Sequence, residues 1–234
     1  MTATNALSTD HRRSLRLDVQ ARCETPINMG GYGAPTFVDR PFRRDRNGWP
    51  FVPATSLKGR LRHECERLAR ALGEEICSGP APDQLHRGAG CVICTMFGSP
   101  WLAGRLYPAN LTLAGPPELQ QAQMRDEPAP AADVRYNVSL SRRRRMAEDA
   151  RLFTTEVFLP GVSLIFAGSW EAELTLKELA LVEAGFGAIT ALGRGKTAGL
   201  GWTHITVKTQ VWEDGALRPI TKDERQAGRT AWQA

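Results

Sequence analysis

No run of apolar residues in this sequence reaches the roughly 18 that a membrane-spanning helix needs, so no span is expected. The opening MTATNALSTDHRR lacks a charged start followed by an apolar stretch, which argues against a secretion signal. The five cysteines are therefore expected to be reduced and cytosolic, where a cysteine cluster points to metal sooner than to disulfides. No internal repeat is present. A nucleotide-binding P-loop is also missing, although Gly195-Lys196-Thr197 resembles the end of one. Such a loop needs a glycine where Thr190 stands, and a strand before it with a helix after it; here the order is reversed. A P-loop phosphotransferase is thereby disfavoured.

What is present bounds a protein of 234 residues, enough for one large domain or two small ones with a real core. Lys and Arg total 30 against 25 Asp and Glu, and the net charge of +5 favours an anionic partner. Fifteen Pro and 22 Gly predict many loops.

Hydrophobic periodicity then places the elements. Residues 1–13 read as a flexible tail. Residues 14–23 alternate, with Leu15, Leu17, Val19 and Ala21 on one side, and predict a half-buried strand. Residues 24–53 form a long Gly- and Pro-rich loop of the kind that is usually functional or disordered. Thr55 or Ser56 is expected to cap a helix running to about Leu72, with Leu57, Leu61 and Leu68 on its buried face. Residues 73–100 read as irregular. A strand follows over 105–113, an arm of a hairpin at Val134, Tyr136, Val138 and Leu140, and another strand over 163–174. Thr175 is the N-cap of a second long helix reaching to about Leu192, and residues 202–212 form the last strand. The stretch 213–234 reads as peripheral. The expected fold is α+β: one domain over 14–212 with a ferredoxin-like (RRM-like) βαββαβ core. Three insertions, 24–53, 73–100 and 115–160, decorate it as a long loop, a zinc-bearing segment and a thumb hairpin.

Four features carry chemistry by residue type alone. In ALGRGKTAGLGW, Gly193, Gly195, Gly199 and Gly201 permit close backbone approach, and Arg194 and Lys196 add charge beside exposed N–H groups. Together they make an anion-binding concavity. Thr55, Ser56 and Lys58 at a helix N-terminus could hold a phosphate through free amides, hydroxyls and charge, or could simply cap the helix. Cys91-x-x-Cys94 has zinc-knuckle spacing, and Cys77 upstream is a plausible third ligand for a structural zinc. His63, Cys65 and His86 compete for the fourth place, and Cys23 reads as core. Arg135 and the run from Arg142 to Arg145 flank alternating apolar residues and Met146, which suits a hairpin pressed on nucleic acid.

A βαββαβ core with a Gly-rich loop between its last helix and last strand resembles the RAMP superfamily of CRISPR proteins. Four further stretches are similar to the backbone subunits of type III effector complexes. These are the helix entry WPFVPATSLKGRLRHECERL, the cysteine pair in CVICTMFG, the aspartate segment FVDRPFRRDRNG and the thumb RYNVSLSRRRRMAEDARLFTTEVFLPG. The resemblance covers roughly residues 14 to 210. It implies a prokaryotic, cytoplasmic subunit that binds guide crRNA and complementary target RNA, alongside copies of itself and other CRISPR effector subunits. It implies RNA contacts from Thr55, Ser56, Lys58, Arg62, Arg135, Arg142, Arg143, Arg194 and Lys196, and a thumb that splays a base. It favours His63 as the fourth zinc ligand beside Cys77, Cys91 and Cys94. It also places Asp39 where type III backbone subunits cut target RNA, with a divalent metal, Mg2+ or Mn2+, as cofactor. Asp45 is the rival, and is expected to belong to the turn at Asn47-Gly48. Asn110 stands where many relatives have Asp. Two other functions stay open: a backbone subunit that only binds, and a crRNA-processing endoribonuclease, which would need a His or Tyr acid/base set.

Overall fold

The structure is a computed structural model and describes residues 10–31, 38–79, 81–85, 90–158 and 163–233. In chain order the elements are β1 (Arg13–Cys23), β2 (Phe51–Val52), α1 (Ala54–Ala71), α2 (Val92–Phe97), β3 (Leu106–Tyr107) and β4 (Leu111–Gly115). Then come α3 (Pro117–Met124), β5 (Asp133–Ser141), β6 (Met146–Val157), β7 (Leu164–Leu174), α4 (Leu176–Ala188), β8 (Thr203–Glu213), β9 (Ala216–Pro219) and α5 (Lys222–Thr230). Helices and an antiparallel sheet are thus mixed in one chain. No helix among the described residues is long and apolar enough to cross a membrane.

The main sheet runs β2-β4-β7-β1-β8-β9, with β3 also paired to β7, and every pairing is antiparallel. Strand alternation sets its buried face: Leu15, Leu17, Val19, Ala21 and Cys23 of β1 are each at most 2% exposed. Burying one such leucine contributes about 1.5–3 kcal/mol. Helices α1 and α4 pack on each other. Trp170 of β7 meets Phe186 of α4 edge-on, ring centroids 5.4 Å apart, and its Nε1–H donates to Ala109 O. At Gly185 of α4 a Cβ would sit 2.6 Å from Cys65 Sγ, so the two helices approach this closely only because that residue is glycine.

Helix ends follow local chemistry in one case and distant chemistry in the other. Thr175 caps α4 as expected, in a capping box with Glu178. Helix α4 stops at Ala188 rather than near Leu192, because Ile189 turns extended and residues beyond it bond the start of β8. Helix α1 is not capped by Thr55 or Ser56. Its N-cap is Pro53, which offers no side-chain acceptor, and the Ala54 N–H donates instead to Asn110 Oδ1 at 2.8 Å. Asn110 therefore caps a helix from 56 positions away. Asn110→Ala is expected to cost about 1 kcal/mol and lower Tm by about 2–4 °C, whereas Asn110→Asp keeps the acceptor and should hold Tm. Thermal denaturation of the three chains checks this.

Three expected elements differ in detail. The strand over 105–113 is split into β3 and β4 around Pro108, which has no N–H to give a ladder. The segment 73–100 contains α2 and a short 3-10 turn, so it is not wholly irregular. Beyond Glu213 the chain adds the edge strand β9 and then α5, which packs on α4, with Ile220 buried and Arg218 forking onto buried Glu224. The hairpin of β5 and β6 forms its own two-stranded sheet, rooted where Glu156, Val157 and Phe158 are buried.

Candidate nucleic-acid interface and thiol cluster

The glycine loop is held in one shape. Gly193, Gly195 and Gly199 all have positive φ, at 83°, 72° and 78°. A Cβ at Gly193 would collide with Asn28 O, the same oxygen that accepts the Arg194 N–H at 2.8 Å. The Gly201 N–H is taken by Pro26 O. The loop therefore exposes Arg194 and Lys196 on a rigid turn rather than on a flexible connector.

Two hollows flank this loop. One, of about 400 Å3, lies against α1 and is lined by Ser56, Gly59, Arg60 and His63 as well as Gly193 and Arg194. Ser56, Gly59, Arg60 and His63 are spaced i, i+3, i+4, i+7, one stripe of a helix. That spacing is the sequence signal for this wall, and the stripe is more polar than a core face. The other hollow, of about 460 Å3, lies between Arg40 and the stretch from Gly193 to Thr197. No acidic residue lines either hollow. Arg60 is tied to Glu64 at 2.8 Å. Arg40, Arg194 and Lys196 form no salt bridge among the described residues.

Other expected contacts point elsewhere. Lys58 Nζ donates to Leu106 O at 3.2 Å, and its pKa is lowered by burial and by nearby Arg62. Arg62 pairs with Glu66 and donates to Gly98 O at 2.8 Å. Both hold α1 to the chain that packs beside it. Thr55 is exposed in the first turn of α1 and lines neither hollow.

The aspartate segment lies along β6. Arg40 pairs with Thr155 in a parallel bridge, its N–H donating to Thr154 O and its carbonyl accepting from Glu156 N, both at 3.0 Å. Asp39 is exposed, and Thr154 binds it twice: the backbone N–H at 2.7 Å and the hydroxyl at 2.9 Å both donate to Oδ2. These bonds, backbone first, hold the carboxyl below the usual range, and the Arg40 charge adds to the effect. Asp45 is different. Its Oδ1 accepts from the N–H groups of Asn47 and Trp49, both at 2.9 Å, so it does belong to the turn at Asn47-Gly48.

Two residues that sequence reading left without a role build this region. Asn28, fully buried, donates to both Arg40 O and Glu156 O, while its own carbonyl holds the glycine loop. Glu156 accepts two bonds from Arg44, both 2.8 Å, and one from Phe42 N–H at 2.7 Å. Burial opposes its charge, but these donors outweigh it and keep the carboxyl below the ordinary range. Glu156 was visible only as part of the thumb stretch. Asn28 had no periodic signal at all.

On the hairpin, Arg142 to Arg145 form the exposed turn between β5 and β6, and Arg135 is exposed on β5. Tyr136, Val138, Leu140 and Leu152 are exposed too. Tyr136, Val138 and Leu140 alternate along β5, and Leu152 lies opposite Val138. The hairpin thus joins an uncovered apolar face to a basic tip.

Cys77, Cys91 and Cys94 come together, buried, with their sulfurs within 4.8 Å of one another. Cys77 Sγ lies 3.3 Å from Cys94 Sγ and 3.7 Å from Cys91 Sγ. Tetrahedral zinc with sulfur bonds of about 2.3 Å sets sulfur separations of about 3.8 Å, so the group could hold such an ion. Burial first, then the neighbouring thiols, push the Cys94 thiol up to about 12, which leaves it protonated until a metal displaces the proton. Among the described residues no fourth donor joins the group. His63 lies in the groove by the glycine loop instead. Cys65 is buried against α4, its Sγ donating to Leu181 O. His86 lies outside the described residues. Cys23 is core, as expected, and burial pushes its thiol up to about 11.

Among curated proteins none matches this chain. The family model of the RAMP superfamily matches residues 20–204, a span that takes in the end of β1, both hollows, the thiol group, the hairpin and the glycine loop. A match over that much of the chain establishes kinship: this protein belongs to the RAMP superfamily, with the CRISPR-associated, RNA-binding character of that family.

Proposed function

We propose that this chain is a backbone subunit of a type III CRISPR effector in the prokaryotic cytoplasm, binding guide crRNA and cutting the complementary target RNA at Asp39. One observation carries the binding half: Arg40, Arg194 and Lys196, without salt bridges among the described residues, ring a hollow that no acidic residue lines. Phosphate contacts supply most of the affinity of such surfaces. The sheet order β4-β7-β1-β8, with α1 and α4 as the two crossovers, supports a ferredoxin-like core. Repeated subunits along one guide, and other effector subunits beside them, belong to the same reading. In it the hairpin is the thumb, with Arg135, Arg142 and Arg143 on RNA. Thr55 and Ser56 stay backbone contacts at the α1 entry. Lys58 and Arg62 serve first to hold α1 in place.

For cleavage, the O2′ of a splayed nucleotide attacks the adjacent phosphorus. The O2′–P bond forms and the P–O5′ bond breaks, leaving a 2′,3′-cyclic phosphate and a 5′-hydroxyl. The Asp39 carboxylate takes the O2′ proton or orients the attacking hydroxyl. A Mg2+ or Mn2+ ion would supply Lewis-acid charge at a phosphoryl oxygen. The donor set fits that ion in its usual mode, one carboxylate plus substrate oxygens, rather than an all-protein cage.

The test of binding uses the assembled complex with guide RNA. Replacing both Arg194 and Lys196 with Ala should weaken RNA binding without sequence preference. It should also flatten the slope of log K against log salt by about 1.4, two single-strand phosphates' worth. An unchanged affinity and slope would show that these side chains do not touch the backbone. One observation favours a second reading, a crRNA-processing endoribonuclease: His63 lies in the groove, where an acid/base group would be needed. That reading requires the chain alone to cut unpaired precursor RNA.

A further inference from the structure

We propose that Arg40 is a catalytic residue of this chain: its guanidinium meets the scissile phosphate in the hollow facing the glycine loop and stabilises the charge that develops on the non-bridging oxygens. This rests on the RNA-cleaving reading above and adds a second group to it.

The argument is geometric. The backbone of Arg40 is fixed at three points: its N–H on Thr154 O, and its carbonyl under Glu156 N–H and Asn28 Nδ2. Its guanidinium carbon lies 3.9 Å from the centroid of the Phe153 ring, so the side chain is stacked on an aromatic face rather than adrift in solvent. Nearby arginines are used otherwise. Arg44 is consumed by its two bonds to Glu156, and Arg43 lies over Phe51. Arg40 is the member of this stretch that lines the hollow, opposite Arg194 and Lys196. Three cations with no carboxylate in the lining are matched by an anion, and the RNA backbone is the anion this family carries.

The neighbouring residue completes the picture. Asp39 and Arg40 are consecutive, so their Cα atoms are about 3.8 Å apart, and Thr154 binds both. Asp39 is not in the lining of the hollow, so a phosphate seated against Arg40 is one residue along the chain from the carboxylate that, in this reading, acts on O2′. Arg40 itself transfers no proton, because a guanidinium stays charged throughout. The O2′ proton goes to Asp39, the departing O5′ takes one from water, and the extra negative charge on phosphorus-bound oxygen is met by donors fixed in advance.

The experiment uses the assembled complex with guide RNA, target RNA and Mg2+. In the Arg40→Ala complex the cleavage rate at saturating target should fall about 10^2- to 10^3-fold, a much larger loss than the weakening of target Kd that follows from removing one of the three cations on the hollow. Arg40→Lys should recover only part of the rate, since a point charge lacks the planar fork. Added guanidinium ion should raise the rate of the Arg40→Ala complex and leave that of Asp39→Ala unaffected. Three results overturn the assignment while the cleavage reading stands. One is native-rate cutting by Arg40→Ala. Another is loss of binding together with cutting and no response to guanidinium, which would make Arg40 a support for the loop. The third is full activity in Arg40→Lys. A native complex that never cuts RNA overturns the cleavage reading itself, and this assignment with it.

Discussion

Asp39→Ala is expected to abolish cutting of guide-paired RNA, a loss of about 10^2–10^4-fold for one positioned acid/base group, and to leave target binding nearly intact. Native complex with divalent metal should cut at several evenly spaced positions, one for each copy of the subunit along the guide. The variant should cut at none. The split between binding and rate follows from placement. Asp39 is exposed, and its bonds are to Thr154 alone apart from the charge of Arg40, so removing it takes nothing from the cationic hollow. Removing a negative charge beside RNA should tighten binding slightly if it changes at all. The pH dependence is also fixed in sign. Hydrogen bonds from Thr154 lower the Asp39 pKa, so the carboxylate persists to more acid pH than an unperturbed Asp, whose pKa is about 3.9. Its protonation should leave cleavage flat above about pH 5 and reduce it only below. Omitting divalent metal should stop cutting in the native complex. Full cleavage by Asp39→Ala would reject the carboxylate. Loss of binding and cutting together would assign Asp39 to the shape of its loop.

The sequence made local features legible and hid those formed by distant partners. Strand β1 and the capping box of α4 were readable because a period of two and a Thr-x-x-Glu signature lie within a few residues. The turn of the glycine loop was readable for the same reason, since the glycines that take positive φ lie within a few residues of one another. Its opposite wall was not. Arg40 reaches the hollow only because residues 39–42 lie along β6, a pairing across 115 positions that no spacing encodes. Asn110 capping α1 is the same kind of miss, and so is Asn28, one buried amide serving two loops. His63 shows another limit. A cysteine pair near a helix histidine suggests one metal site, but the angle at which a residue leaves a helix decides its neighbours. His63 shares a stripe with Ser56, Gly59 and Arg60 and so faces the groove. The thiol trio itself was legible, because Cys91-x-x-Cys94 lies on one turn and Cys77 is the nearest upstream thiol.

Stripping metal from the purified chain is expected to lower its Tm by about 8–16 °C, the equivalent of about 4 kcal/mol for a ligand present at a thousand times its Kd. The native chain should carry about one zinc. Three thiols at 3.3 and 3.7 Å, unbridged and buried, are already near the separations a tetrahedral ion imposes. Much of what orders the segment before α2 lies close to that group: Arg70 bonds Cys77 O, and Cys91 caps α2. Cys94→Ser should lose the metal and most of the Tm difference, because a hydroxyl is a poor substitute for thiolate on zinc. His63→Ala should keep about one zinc, since that ring lies in the groove and not with the sulfurs. Elemental analysis and thermal denaturation read both. Metal at background in protein purified without chelator would leave the trio as ordinary buried thiols. Zinc lost in His63→Ala would bring that histidine back as the fourth ligand. Its imidazole would then be committed to metal, and the processing reading would lose its acid/base group.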